Sequence, residues 1–394
     1  MRLVRFGVNS LQFFFGANGA VGYSRISFCL LLMVGLSGFI SYRGLADMAH
    51  TLRLLDAQNQ EYVLEERLPE LNQYRVVFIG EYHDRYHHHL AQQAVMAALH
   101  QAGERQWAVG LEFIQQPFQS VLDAYTAGSI DEIELLAQTE YFERWGFDYR
   151  LYRPIFRYAR EQGLPLVALN VATELVNAVR ESGWEGLSPE QRAQLPPTIP
   201  PMSAERRAEL AQFYAQHPPT SGDFERFVQV QQLWDASMAQ RAAEYLQAHP
   251  EQGLVVLAGQ GHLVPGSGIP ERLQQHIDVP TVILMPVDTH APEQLAWADY
   301  RLLLEPIELP PAGRMGVRLE FDDGARALEV VADSAAARAG MQVGDQILSI
   351  AQRPIATWSD VRLALLDRQP GDEISVIVQR AERADLITLS LRLD

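Results

Sequence analysis

Lysine is missing from this chain: all 32 basic residues are Arg. No P-loop lysine is available to reach a nucleotide phosphate, and no lysine can hold pyridoxal phosphate as a Schiff base. Cysteine is nearly missing as well, with Cys29 alone inside an apolar run. Intrachain disulfides, Cys-rich zinc sites, Fe–S clusters and covalent c-type haem attachment are excluded with it. Positive charge is scarce: 49 acidic residues against 32 Arg give a formal charge of -17. Such a chain is a poor partner for nucleic acid or an anionic membrane surface, and no nucleic-acid partner is expected. No G-x-S-x-G and no H-E-x-x-H occurs. Gly259-Gln260-Gly261 follows an apolar run, but Val264-Pro265 stand where a dinucleotide fingerprint needs its third glycine.

What the chain does have is length and apolar content, 394 residues at 47% apolar, enough for two or three cores. Before the first acid, Asp47, lie Arg2, Arg5, Arg25 and an apolar stretch from Ile26 to Tyr42. As a helix that stretch measures about 25 Å. Positive charge ahead of it predicts a cytoplasmic N-terminus, with everything after Arg43 exported to the periplasmic side of a bacterial inner membrane. Gly44-Leu45-Ala46 supplies small residues for signal-peptidase cleavage. Residues 1–46 are therefore expected to be a signal peptide or a membrane anchor. Cys29 precedes the Leu-rich core of that stretch, which does not fit a lipoprotein cysteine.

From Tyr62 to about Pro286, short apolar runs alternate with longer amphipathic stretches. Strands are expected at Arg75–Ile79, Trp107–Leu111, Leu164–Leu169, Gly253–Ala258 and Thr281–Met285, with helices at His88–Gln101 and Phe118–Tyr125. Near-continuous apolar strands separated by helices argue for an α/β fold with a mainly parallel sheet covered on both faces. The Pro-punctuated stretch from Leu187 to Gln240 reads as a helical insertion or lid. The expected organisation is an α/β domain at 50–290, a Pro-rich linker at 291–312 with a short helix over Glu293–Leu303, and a small domain at 313–394.

Ligands of open α/β sheets sit at the carboxyl ends of the strands. There the sequence places Gly80-Glu81-Tyr82-His83-Asp84, then Glu112, Asn170, and Gly259-Gln260-Gly261-His262. Glu81, His83, Glu112, Asn170 and His262 are thus expected at one mouth. Three uses stay open: haem ligation by imidazole or phenol, general acid–base work by His with Glu, and a divalent metal held by two His and a carboxylate. His83 and His87 lie four apart, the spacing that puts two ligands on one helical face, while His87, His88 and His89 read equally as a solvated helix start.

These residues resemble the ChaN-like haem-binding proteins. The resemblance rests on Gly80–Asp84 with His88, His89 and Gln92; on Gly110-Leu111-Glu112-Phe113 with Gln116–Gln119; and on Tyr152-Arg153-Pro154-Ile155. It continues through Ala168-Leu169-Asn170, Gln232–Asp235, Ala258–His262 and Gly268–Arg272, spanning about Tyr62 to Pro286. It implies haem as cofactor, a role in haem or iron handling at the bacterial envelope, and a homodimer. By motif it points to Glu81, Tyr82, His83, Glu112, Arg153, Asn170 and His262 as pocket residues, with Tyr82 and His83 as candidate iron ligands. The same fold is similar to erythromycin-esterase-like hydrolases and TIKI/TraB-type metalloproteases. That implies an alternative in which Glu81, His83, Glu112 and His262 activate water, with a divalent metal.

The C-terminal unit resembles a bacterial PDZ domain. Met315–Leu319 is similar to its carboxylate-binding loop and following strand, and Ser334–Met341 with Val343–Leu348 carries the signature. Trp358–Leu366 is expected as the groove helix and Ile374–Gln379 as a strand. The resemblance implies that a peptide or protein C-terminus adds to the sheet edge, contacting Met315, Gly316, Val317, Leu319, Val361 and Leu365. A domain used only for packing, on a scaffold without cofactor, is the remaining alternative.

Overall fold

The computed structural model describes residues 51–216, 223–290, 292–293, 295–380 and 386–394. The expected N-terminal segment 1–46, Cys29 included, lies outside the described residues. Among the described residues, no helix is long and apolar enough to cross a membrane.

The first domain is built on an eight-stranded sheet: β1 (Arg53–Asp56), β2 (Glu61–Val63), β3 (Val76–Glu81), β4 (Gln106–Gln115), β5 (Leu166–Asn170), β6 (Gln252–Gly259), β7 (Thr281–Asp288) and β8 (Tyr300–Leu304). Their order is β2-β1-β8-β7-β3-β6-β4-β5. All neighbours from β8 to β5 run parallel, and β1 is antiparallel to both β2 and β8. Helices α1 (Leu64–Leu71), α2 (Tyr86–Ala102), α3 (Gln119–Thr126), α4 (Glu132–Gln138), α5 (Tyr141–Arg144) and α6 (Tyr149–Gln162) come next to these strands in chain order, followed by α7 (Thr173–Ser182), α8 (Pro189–Arg192), α9 (Ala204–Gln216), α10 (Phe224–Ala248) and α11 (Ile269–Gln274).

The central strands are apolar throughout because both faces are covered, and their period of two sorts the side chains. Val77, Ile79, Val109, Leu111 and Leu257 join one core with aromatic residues of α6. Val76, Phe78, Ala108, Val256 and Ala258 join the other with Met238, Ala239, Ala242 and Leu246 of α10. The expected insertion is helical, as α8 to α10. The C-terminal half of α10, however, covers one face of the sheet instead of serving only as a lid.

Two expectations are corrected. The stretch 291–312 is more than a linker, and the helix expected over Glu293–Leu303 is not there. Tyr300–Leu304 forms β8, which pairs with β7 and β1 and sends Tyr300, Leu302 and Leu304 into the core at a spacing of two. Arg301, on the opposite face, is buried because it donates to Asp56 O and, at 2.6 Å, to Asn59 Oδ1. The second correction concerns His87, His88 and His89. All three are buried in the first turn of α2, not solvated.

The second domain is a β-rich unit of β9 (Val317–Glu320), β10 (Ala325–Val330), β11 (Gln346–Ile350), β12 (Arg353–Pro354), β13 (Glu373–Gln379) and β14 (Leu386–Arg392), with α12 (Ala335–Arg338) and α13 (Trp358–Leu365). Its sheet is antiparallel in the order β14-β13-β11-β10-β9. The two domains share a core. Val361 packs inside the second domain, whereas Leu363 and the adjoining Leu366 pack with the apolar residues of the first. Arg362 lies 5.2 Å from the Phe142 ring, and Arg153 Nη1 lies 2.7 Å from Asp367 Oδ1.

Candidate functional site: an acid–imidazole cluster at the strand ends

Strand β3 ends in Glu81, paired in register with Gly259 at the end of β6. Beside β6, strand β4 runs on past Leu111, and its pairing with β5 slips between Leu111 and Gln115. That irregularity turns Glu112 toward β6, where its Oε2 accepts the Gly259 N–H at 2.5 Å. Gly259 has no room for a side chain: a Cβ there would stand 2.7 Å from His83 Cε1.

The result is a chain of alternating acids and imidazoles. Glu81 Oε1 lies 2.5 Å from His83 Nδ1 and accepts the Tyr152 hydroxyl at 3.0 Å. Its other oxygen is 2.8 Å from His89 Nδ1. His83 Nε2 faces Glu112 Oε1 at 3.9 Å, and His262 Nε2 approaches the same oxygen at 3.2 Å. His262 Nδ1 is held 2.6 Å from Asp235 Oδ1, a residue of α10. Asn170 closes the edge, donating to Glu112 O at 2.9 Å while accepting the Val171 N–H. Trp145 and Phe147 flank the His83 ring at 4.8 and 5.0 Å between centroids.

Burial and charge work against each other throughout the cluster. Burial alone would raise Glu81, but His89 and His83 hold it below the ordinary carboxylate value. Glu112, also buried, is lowered by His262, His83 and the Gly259 N–H. Burial would lower both His83 and His262, yet the carboxylates prevail and raise both, His262 well above the usual imidazole value. Asp235 goes the other way, its burial outweighing His262. His88, buried beside His87 and taking the Tyr82 N–H on Nδ1, is pushed down to about 3 and stays neutral.

A cavity of about 290 Å³ opens on this cluster, lined by His83, Glu112, Asn170 and His262 with Trp145 and Arg180 among its walls. Of the residues expected at one mouth, Glu81, His83, Glu112, Asn170 and His262 do come together, Glu81 as the buried support of His83. Two others do not. Arg153 binds Glu132 and Asp367 at the domain junction, because it projects from the face of α6 turned toward α13. Tyr82 sits outside the cavity on the surface, 39% exposed, its hydroxyl 3.2 Å from each Glu293 oxygen. Tyr82 is the first residue past the end of β3. His89, Tyr152 and Asp235 were not singled out as site residues from the sequence. Asp235 left two traces: it closes the Gln232–Asp235 motif, and it is the one charged residue among the buried residues of α10.

Among the described residues, no group of three or more His, Cys, Asp and Glu is placed to hold a metal ion. Glu112 Oε1 itself occupies the point on which the two Nε2 atoms converge.

In the second domain, Met315, Gly316, Val317, Leu319, Val361 and Leu365 all line one groove of about 750 Å³ between β9 and α13. Gly316 has φ +73°, and a Cβ on it would stand 2.2 Å from Ser334 Cβ, so this turn requires glycine.

Fold and site together define a class: a mainly parallel α/β domain with an acid–imidazole cluster at its strand ends, joined to a small antiparallel domain with a groove at its sheet edge. The chain belongs to the family of haem-binding uptake proteins of the Tiki superfamily, ChaN, whose model matches residues 67–273, and it carries a PDZ domain at 313–391. The fold is shared with ChaN of Campylobacter jejuni, solved with cofacially bound heme: 19% identity, TM-score 0.52, covering 64% of this chain and 96% of that one. The C-terminal part is similar to a serine endoprotease of Yersinia pestis, at 27% identity and TM-score 0.19, over 21% of this chain and 28% of that one. No curated protein matches the sequence.

Proposed function

We propose that the protein binds haem on the open face of its first domain, with the Tyr82 phenol as iron ligand and the His83–Glu112–His262 cluster as a rigid support beneath. One observation carries the reading: Tyr82 is a strand-end donor with its oxygen at the surface, whereas the cavity beneath is too small for a tetrapyrrole. At about 290 Å³ it lies at the floor of the roughly 300–1,000 Å³ typical of drug-sized ligands. The donor set fits the group, since a phenol is an accepted haem ligand in a chain without a Cys thiolate. Bound ferric haem would supply a Lewis-acidic iron and a flat apolar face. Glu293, beside the phenol, accepts its hydrogen bond; burial and that carboxylate raise the Tyr82 pKa, so iron must displace the proton. His83 is a poorer ligand because its Nδ1 is tied to Glu81 and its Nε2 points into the cavity.

An open haem face invites a second copy, and the cofacial heme of the Campylobacter jejuni protein supports a homodimer here. The Arg-bearing, acid-free first 46 residues support export to the periplasmic side of a bacterial inner membrane, and with it a part in haem or iron uptake. Titrating hemin into the protein should develop a Soret band that shifts or collapses in Tyr82→Phe and persists in His83→Ala. A Tyr82→Phe protein with an unchanged hemin spectrum and affinity would defeat the assignment.

A second reading is favoured by the Asp235–His262 pair, which aims a charged imidazole at the cavity as a general acid. It expects ester or peptide turnover without haem, lost in His262→Gln while the fold persists. Turnover unaffected by His262→Gln removes it.

A further inference from the structure

The groove of the PDZ domain does not belong to that domain alone. Its long walls are β9 and α13, but Asp148 and Arg150, at the start of α6, and residues 309–312 also line it. Arg150 Nη1 donates to Pro310 O at 2.9 Å, and Gly313 N donates to Arg368 O at 2.8 Å. These bonds fix the extra wall beside the C-terminal end of α13, next to the Arg314–Gly316 turn.

Charge in the groove is unequal. Arg318 and Glu329 pair at 3.2 Å across β9 and β10 and cancel. Among the lining residues beside this wall, Arg150, Arg314 and Arg362 stand against a single acid, Asp148, which Arg150 approaches at 2.8 Å and Arg362 at 3.7 Å. Arg314 is exposed and makes no ion pair among the described residues. Strand β9 ends its sheet, so its outer edge offers backbone N–H and C=O groups to an added strand. The side-chain floor of Met315, Val317, Leu319, Val361 and Leu365 is apolar.

We propose that this groove is a composite site, completed by the first domain, for a protein C-terminus that pairs an apolar terminal residue with an acidic residue just before it. The wall at 148–150 and 309–312 stands beside the Arg314–Gly316 turn, where the proposal places the end of the occupant. The excess of Arg favours more negative charge than one terminal carboxylate supplies. This inference rests on reading the C-terminal domain as a peptide-binding module, and its test separates the two.

Fluorescein-labelled octapeptides ending in Glu-Val or Lys-Val, in free-acid and amidated forms, are titrated against the intact chain by anisotropy. The acidic free-acid peptide should bind at least tenfold tighter than its Lys counterpart at about 50 mM salt, and the gap should close at high salt as the charges are screened. Amidation, or extension by two residues, should abolish binding. Arg150→Gln, a first-domain substitution, should shrink the preference several-fold, with circular dichroism reporting whether the fold is kept. The salt dependence of the unmodified chain tests the charge argument without any variant. Equal binding of acidic and basic peptides, or a preference unmoved in folded Arg150→Gln, overturns the composite site while leaving a peptide-binding PDZ domain. If none of the peptides binds, both fall.

Discussion

Asp235 offers the sharpest test of the site's electrostatics. Its carboxylate is buried and lies 2.6 Å from His262 Nδ1, whose other nitrogen is 3.2 Å from Glu112. Asp235→Ala leaves a buried imidazolium with one partner in place of two. Breaking a buried pair on one side costs about 3–5 kcal/mol. In a domain of this size each kcal/mol lowers the Tm by roughly 2–4 °C, so the loss should reach about 6–20 °C. Asp235→Asn still accepts the Nδ1 proton and should cost about 1–2 kcal/mol, the difference between a charge-assisted and a neutral hydrogen bond.

The sign of the pH dependence follows from His262. Its folded pKa is raised well above the unfolded value, so its contribution is fully present below about pH 6.5 and is lost as pH rises through the folded value. Urea denaturation of the parent and Asp235→Asn proteins at pH 6 and at pH 9.5 should show the gap between them narrowing at the higher pH. A loss under about 1 kcal/mol in Asp235→Ala, or a gap that widens with pH, would refute the buried, charged imidazole.

Other perturbations probe the rest of the molecule. Gly259→Ala should displace the His83 ring, since the new methyl would sit 2.7 Å from Cε1; NMR of the imidazole resonances should show His83 moved and the protein destabilised. Leu366→Ala removes a side chain that is part of the first domain's core and should cost about 2–5 kcal/mol, with both domains melting earlier in calorimetry. Gly316→Ala should abolish peptide binding by anisotropy without altering hemin uptake, because its φ of +73° and the nearby Ser334 both resist a side chain. Arg153→Ala should leave the hemin spectrum unchanged, since Arg153 sits at the domain junction with Glu132 and Asp367. A hemin spectrum changed by that substitution would return Arg153 to the haem site.

The strands that build the site were legible because they are buried on both faces, and a run such as Val76–Ile79 has few other readings. The strand-end polar residues followed from the same logic, and five of them do meet. What escaped was whatever depends on partners far away in sequence. Strand β8 shows a period of two at Tyr300, Leu302 and Leu304, but the prolines around it suggested a linker, and only pairing with β7 and β1 makes it a strand. Tyr82 and His83 are adjacent and looked interchangeable as ligands. The turn that follows β3 separates them, with Tyr82 at the surface and His83 lining the cavity. Asp235 was hidden because an acid in a 25-residue helix is ordinarily solvated, as Glu225 and Glu244 of the same helix suggest, and its imidazole partner comes 27 residues later.

Helix α13 serves two masters. Trp358, Val361 and Leu365 face the groove, Leu363 packs in the neighbouring domain's core, and Leu366, just past the helix end, does both. A PDZ unit borrowed from another protein would therefore arrive with the wrong back side and leave the first domain's core short of two leucines. For the same reason, tightening of the groove on an occupant would pull on a helix that is also mortar in the wall carrying Trp145 and Phe147.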